Sequence, residues 1–469
     1  MSTKALVELI FRSDPRKRWG VEASPFANVR IDRQFYVVAL ASFYLATIAR
    51  AIRAPNGWAK AHWLIGYETG AFKRSLMGTL IRPLVNASLA TPEATITIVA
   101  SLVEFVFLAL LFRQVLRSFL AQGSYGRMLL SAVMLTSPYV FCAADLTGYF
   151  DGLVVLSGLA ATELVQQRRT LWAGVIVALA VLIHESTIIV ALPVVALAAM
   201  LQHCEHFGSE SRTMIAVRAF ARTNWPLLLP AVVFGLVAFR QSHWFRCDEA
   251  RTNISARLAE FAFLTPSERK GVMDAFTHSF LSYFREESPS FWDRVLNPAL
   301  ALRILPTAAL LTYAAASCIW LRDEFRRWRF ALVMVLALAV SSPLLMHAIA
   351  WDTSRIWSYH IIIAFLALSM IARNSQTCLD MVLAKPWLQR LPLVVLALNV
   401  FLELESTDAP VVRERFSWEL RTVFYALPLL VLLIAGDRVS RGARARASQR
   451  GPSETGANRR GRMTARKTA

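Results

Sequence analysis

The sequence predicts an all-α fold: a polytopic membrane helix bundle of about twelve transmembrane helices, with interfacial helices in two long outer loops. Three observations predict it. The 469-residue chain is 56% hydrophobic and only 18% charged, where a soluble domain keeps about a quarter of its residues charged. Apolar runs recur from residue 35 to residue 436, many approaching the roughly 20 helical residues that cross about 30 Å of hydrocarbon. Lys and Arg concentrate in alternate connections between those runs, the distribution that marks cytoplasmic loops.

Taken in order, residues 1–34 form a basic leader carrying Arg12, Arg16, Lys17, Arg18, Arg30 and Arg33, with no small-residue cleavage site after a short apolar stretch. They read as an uncleaved cytoplasmic leader into the first span. The transmembrane domain, 35–436, has spans at 35–51, 94–112, 128–145, 152–166, 171–184, 187–201, 225–239, 301–320, 330–348, 357–372, 391–403 and 422–436. One set of alternate loops holds Arg113, Arg117 and Arg127, then Arg168 and Arg169, then Arg212, Arg218 and Arg222, then Arg322, Arg326, Arg327 and Arg329, then Arg373, Lys385 and Arg390. These loops and both termini are expected in the cytoplasm. A single helix over 171–201 would invert every later loop, so a hairpin turning at His184, Glu185 and Ser186 is expected. Residues 437–469 hold ten Lys/Arg against Asp437 and Glu454. They read as a disordered basic cytoplasmic tail, a topology determinant or a tether to anionic lipid. No folded basic module accompanies the net charge of +19, so nucleic acid is not an expected partner. The five cysteines are scattered with no C-x-x-C pair and read as free thiols.

The two long outer loops are 53–93 and 240–300. In the second, Thr265-Pro266-Ser267-Glu268 is a capping box with Pro at the first helical position. Val272, Phe276, Phe280 and Phe284 then recur every four residues. That face suits a helix lying in the membrane interface or one packed over the bundle.

The polar residues that stand out fall on the outer side. In the first loop, Glu68 precedes Lys73 and Arg74 between glycines. A helix beginning near Gly70 would aim its amides at Glu68 or at a phosphate, and the two cations suit a lipid phosphate or snorkel to the interface. Asp145 and Asp151 bracket a short loop containing Tyr149; each suits a general base, a cation ligand or, for Asp151, an N-cap. His184 and Glu185 interrupt an otherwise apolar stretch, which is costly at membrane depth without a polar cavity or partners. Asp352 and Arg355 have the i, i+3 spacing of a helical ion pair, and Trp351, Trp357 and Tyr359 read as interfacial anchors. Glu104 is a further acid inside the second span. His203-Cys204-Glu205-His206 resembles a metal cluster in composition, but a loop with no second cluster is a poor metal site, and no metal is expected there. No phosphate-binding glycine loop is present, so ATP hydrolysis is not expected.

This arrangement of spans, long first outer loop and outer acids at Glu68, Asp145 and Asp151 resembles the GT-C class of membrane glycosyltransferases. It is also similar to bacterial surface-polysaccharide polymerases. The resemblance implies an inverting glycosyl transfer at the outer face of a bacterial inner membrane. The donor would be a polyprenyl-phosphate sugar and the acceptor an envelope glycan, lipid or protein. Glu68, Asp145 and Asp151 would supply the catalytic carboxylate. Lys73, Arg74, His184, Glu185, Asp352 and Arg355 would bind substrate. No cofactor is expected, with a divalent cation left open. The competing expectation is a transporter or flippase of a lipid-linked glycan, whose charged residues would line a path at the bilayer midplane.

Overall fold

The computed structural model describes residues 33–71, 73–87, 90–119, 125–207, 213–243, 247–350, 352–374, 376–402 and 416–449. Every regular element among them is helical. A helix stands at each of the twelve predicted runs. Seven are long and apolar enough to cross a membrane: Pro92–Phe119, Tyr125–Asp145, Thr187–His206, Val217–Gln241, Pro298–Leu321, Arg329–Ala348 and Thr353–Arg373. Tyr36–Ala51, Thr170–Ile183 and Arg390–Phe401 are apolar but shorter. The helix Asp151–Gln166 has 16 residues, about 24 Å at the helical rise, less than the hydrocarbon thickness. Length alone therefore singles out fewer spans than the apolar pattern does.

Several of these helices expose large apolar side chains, the pattern expected of a chain whose solvent is hydrocarbon. On the helix Pro92–Phe119, Ile98, Leu102 and Phe105 face outward while Ala100, Phe107 and Leu111 are buried. Such a continuous exposed apolar face is costly in water and neutral in lipid. The helix Thr353–Asn374 is buried on nearly all sides, its polar Ser358, His360 and Ser369 included, so it runs through the centre of the bundle.

Residues 171–201 do form two helices. Thr170–Ile183 ends at His184, which is extended, and Thr187–Phe207 begins three residues later. At the far end, Gln202 Nε2 donates to Gln166 O at 3.2 Å and Arg168 contacts His206 at 3.3 Å. The start of one helix therefore lies beside the end of the other, and the pair is an antiparallel hairpin.

The two long loops fold together into a cap. Trp63, Ile65 and Ile81 from the first loop bury against Ile254, Leu258, Val272 and Phe276 from the second, with Phe150 between them. Gly78 makes this packing possible, because a Cβ there would collide with the Ile65 carbonyl. The capping box at Thr265 and Glu268 is present with both of its reciprocal bonds, and the helix Pro266–Thr277 follows. The expected four-residue face does not continue as one interfacial helix. A break at His278 and Ser279 starts a new helix, Phe280–Glu287, leaving Val272 and Phe276 in the cap core and Phe284 exposed.

Four further expectations are corrected. No helix begins at Gly70: Tyr67–Thr69 is a 3₁₀ turn, Gly70 is left-handed at φ 83°, and the helix starts at Leu76. His203, Cys204, Glu205 and His206 belong to the helix Thr187–Phe207, not to a loop, and Glu205 pairs with Arg322 at 2.7 Å. Trp357 and Tyr359 are core residues: Trp357 is buried and donates to Arg294 O at 3.1 Å, and Tyr359 is buried in the bundle. The last helix runs from Trp418 to Gln449, so 437–449 is helical; Ala and Arg recur there and both are strong helix formers. The leader up to residue 32, Trp351 and the tail from residue 450 lie outside the described residues.

Candidate functional site

Connections from one end of the bundle converge beneath the cap. The turn before Asp151 contains Gly148 in the left-handed region at φ 94°, and its carbonyl accepts from Trp63 Nε1 at 2.7 Å. That contact ties the first loop to the start of the helix Asp151–Gln166. Asp151 is the first residue of this helix but does not cap it. Its carboxylate instead accepts the Tyr359 hydroxyl, while its Oδ2 lies 3.6 Å from Arg355 Nη1. Arg355 Nε is 3.3 Å from Asp352 Oδ2, the i, i+3 pair expected from the spacing. The same guanidinium lies 5.7 Å from the Tyr149 ring centroid, a cation–π contact, and the Tyr149 hydroxyl accepts from Asn56 at 3.4 Å. Arg355 thus has an acid on each side and an aromatic face against it.

A second ion pair lies close by. Arg74 Nε donates to both Glu185 carboxylate oxygens, at 3.0 and 2.9 Å, and Nη2 adds a further contact to Oε1. Arg74 adopts φ 62°, a conformation that non-glycine residues reach at a cost and that recurs at functional sites. Its partner sits in the helix break. The Ser186 N–H donates to His184 Nδ1 at 3.2 Å and the Thr187 hydroxyl to His184 O at 2.7 Å. His184 therefore shapes the turn that presents Glu185. Burial works to raise the Glu185 carboxyl, and the Arg74 guanidinium overrides it, holding the group well below the ordinary carboxylate range. The Arg74 and Arg355 guanidinium groups also interact electrostatically, so the two pairs form one field.

Asp145 ends the helix Pro138–Asp145 and pairs with Arg53 at 3.1 Å. Lys73 points into the cap. Its ammonium donates to His278 O at 3.1 Å and lies 4.8 Å from the Tyr283 ring centroid. Burial lowers that ammonium to about 7, with Glu185 opposing and Arg74 adding to the fall. Its contacts tie the first loop to the second. Glu68 stands apart from this assembly. Its side chain is 29% exposed and its ion-pair partner, at 3.6 Å, is Arg82, a residue outside the cluster.

Below Asp151 is a cavity about the size of one water molecule. Glu104, Tyr139, Asp151, Arg355 and Tyr359 line it. Glu104 Oε1 and the Tyr139 hydroxyl are buried and have no hydrogen-bond partner in the protein. Two such groups beside one water-sized space suit a bridging water, because a buried polar group without a partner costs about 1–3 kcal/mol.

The structure therefore brings together Asp151, Asp352, Arg355, Arg74, Glu185 and His184. It sets Asp145, Lys73 and Glu68 in separate contacts. Tyr359, Tyr149, Arg53 and Tyr139 also join or adjoin these contacts, and the sequence pattern alone does not assign them to the site. For Tyr359 a signal existed, since it lies four residues after Arg355 and so on the same helix face. Among the described residues no group of three or more His, Cys, Asp or Glu is placed to hold a metal ion. No family model matches the chain, and neither a curated protein nor a solved structure matches it.

Proposed function

We propose that this chain is an integral membrane glycosyltransferase of the bacterial inner membrane, with both termini cytoplasmic and about twelve spans. It would move a sugar from a polyprenyl-phosphate donor to an envelope glycan, lipid or protein acceptor at the outer face. The observation that carries this reading is the pairing of Asp151 with Arg355 beside the Arg74–Glu185 pair, at one end of an apolar bundle. Inverting transfer needs a carboxylate to take the acceptor proton and cations to stabilise the phosphate as it leaves. In this reading Asp151 removes the hydroxyl proton, the acceptor oxygen bonds to the anomeric carbon, and the sugar–phosphate bond breaks. Arg355, oriented by Asp352 and Tyr149, meets the charge growing on the phosphate, and Arg74 reinforces it.

Apart from Glu104, which lies mid-helix, the charged residues of the cluster belong to helix ends and turns. Asp145 ends one helix, Asp151 begins the next, Glu185 lies between two, and Arg355 is the third residue of its own. That arrangement supports chemistry at a membrane face over a transport path at the midplane.

Arg355→Lys discriminates a phosphate clamp from a structural cation. Lysine keeps the charge but not the planar fork. We expect this variant to insert normally and to turn over about a hundredfold more slowly, the rate equivalent of about 2–3 kcal/mol of transition-state stabilisation. Wild-type turnover at a saturating lipid donor would remove Arg355 from the reaction. Glu68→Gln is expected to retain nearly full turnover, because its carboxylate is engaged by Arg82 outside the cluster; a loss of tenfold or more would return the base to the first loop. For topology, a single cysteine at Ser267 is expected to react with an impermeant thiol reagent added outside, and one at Ser448 to be spared. The reverse pattern would place the cap in the cytoplasm.

A further inference from the structure

The end of the bundle opposite Asp151 carries a second pocket that the transfer reaction does not use. It is a cavity of about 290 Å³ between the helices Pro92–Phe119, Asp151–Gln166 and Thr353–Asn374. Glu163 lies 12 residues along its helix from Asp151, about 18 Å at the helical rise, so the two sites are well separated. Arg113, Arg117 and Arg373 line this pocket against one acid, Glu163. Glu163 is already engaged, by Arg373 at 2.5 Å and Arg117 at 4.0 Å. Arg373 also reaches Gln166 and Gln114, each at 3.3 Å, and its Nε is buried with no hydrogen-bond partner. Beyond these groups and Thr162 the lining is apolar, including Leu110, Leu159 and Met370; Gln114 and Gln166 line it as well. Leu110 is exposed on the same helix as the outward-facing Leu102 and Phe105.

We infer that this pocket binds an anionic phospholipid, with its phosphate at Arg113, Arg117 and Arg373 and an acyl chain against Leu110, Leu159 and Met370. Three guanidinium groups facing one carboxylate leave an excess of positive charge, and forked donors match phosphate oxygens. The joined apolar wall suits a ligand whose charge and hydrocarbon are covalently linked, which a free anion lacks. Basic pockets between membrane helices are sites of this kind. The inference does not depend on the sugar-transfer reading.

The test is native mass spectrometry of the purified full chain in detergent, titrated with phosphatidylglycerol or with phosphatidylcholine. We expect retained phosphatidylglycerol at about tenfold or greater preference. Arg113→Gln with Arg117→Gln should remove that preference while leaving Arg373 to brace the helices. Ala160 lines the pocket and is exposed, so Ala160→Phe fills the space for the chain without touching the charges and should weaken retention by a similar factor. Equal retention of the two lipids, or retention unchanged in the double arginine variant, would overturn the inference. So would displacement by millimolar inorganic phosphate together with no effect of Ala160→Phe, which would mark a site for a free anion.

Discussion

Replacing Asp151 with Asn is expected to lower turnover by about 10²–10⁴-fold, the usual contribution of a general base, while the protein still inserts and folds. The substitution keeps size and leaves an amide oxygen to accept the Tyr359 hydroxyl. It removes basicity and the charge facing Arg355. Tyr359→Phe should be milder, because it removes one bond to the carboxylate and leaves the carboxylate itself. The measurement is single-turnover transfer at matched protein in the same detergent, with insertion checked by size-exclusion chromatography. Near-wild-type turnover in Asp151→Asn would move the base to Asp145 or Asp352, and near-wild-type turnover in Asp145→Asn and Asp352→Asn as well would remove the carboxylate-base mechanism.

The second large effect concerns stability. Arg74 and Glu185 are both largely buried, with 16% and 11% of their side chains exposed, and they join the first loop to the break between two helices. Removing one partner strands the other charge away from water. Breaking a buried pair in this way typically costs about 3–5 kcal/mol, whereas replacing both members with apolar groups costs far less. Glu185→Leu is therefore expected to lower the unfolding midpoint markedly, and Arg74→Met combined with Glu185→Leu to recover much of the loss. Thermal unfolding of the two variants against wild type measures this directly. Equal midpoints for all three would mean that the pair does not hold the loop to the bundle.

The architecture was legible because lipid imposes a pattern that survives without any alignment. The apolar runs marked where helices stand and the hairpin at His184, although only seven of those helices among the described residues are long and apolar enough to cross a membrane. Helix length was less legible, because Asp151–Gln166 stops at the basic turn after Gln166 whatever its apolar content. The cap was half legible. The capping box at Thr265 follows from local rules, and the break at His278 has a local signal too, since the Ser279 side chain caps the next helix by accepting from the Ser282 N–H; the packing of Phe280 beside Lys73, 207 residues away in sequence, has none. For the site, charged residues at the ends of apolar runs identified Asp151, Glu185 and Arg355, since charge near the membrane is rarely incidental. Their partnering was not legible. Glu68 and Asp151 look alike in sequence, and only the three-dimensional fold separates an acid engaged by Arg82 from one facing Arg355. Tyr359 read as an anchor because aromatic residues near the end of an apolar run usually are. Here its helix is the central one, so both of its faces are protein.

The most direct measurement of the central claim is release of polyprenyl phosphate from purified polyprenyl-phosphate sugars in the presence of a membrane-extract acceptor, wild type against Asp151→Asn. The account predicts sugar transferred to acceptor with one polyprenyl phosphate released per transfer by the wild-type protein, and release at background by the variant. Transfer at background by correctly folded wild type across hexose, pentose and amino-sugar donors, or equal release by both proteins, would contradict it.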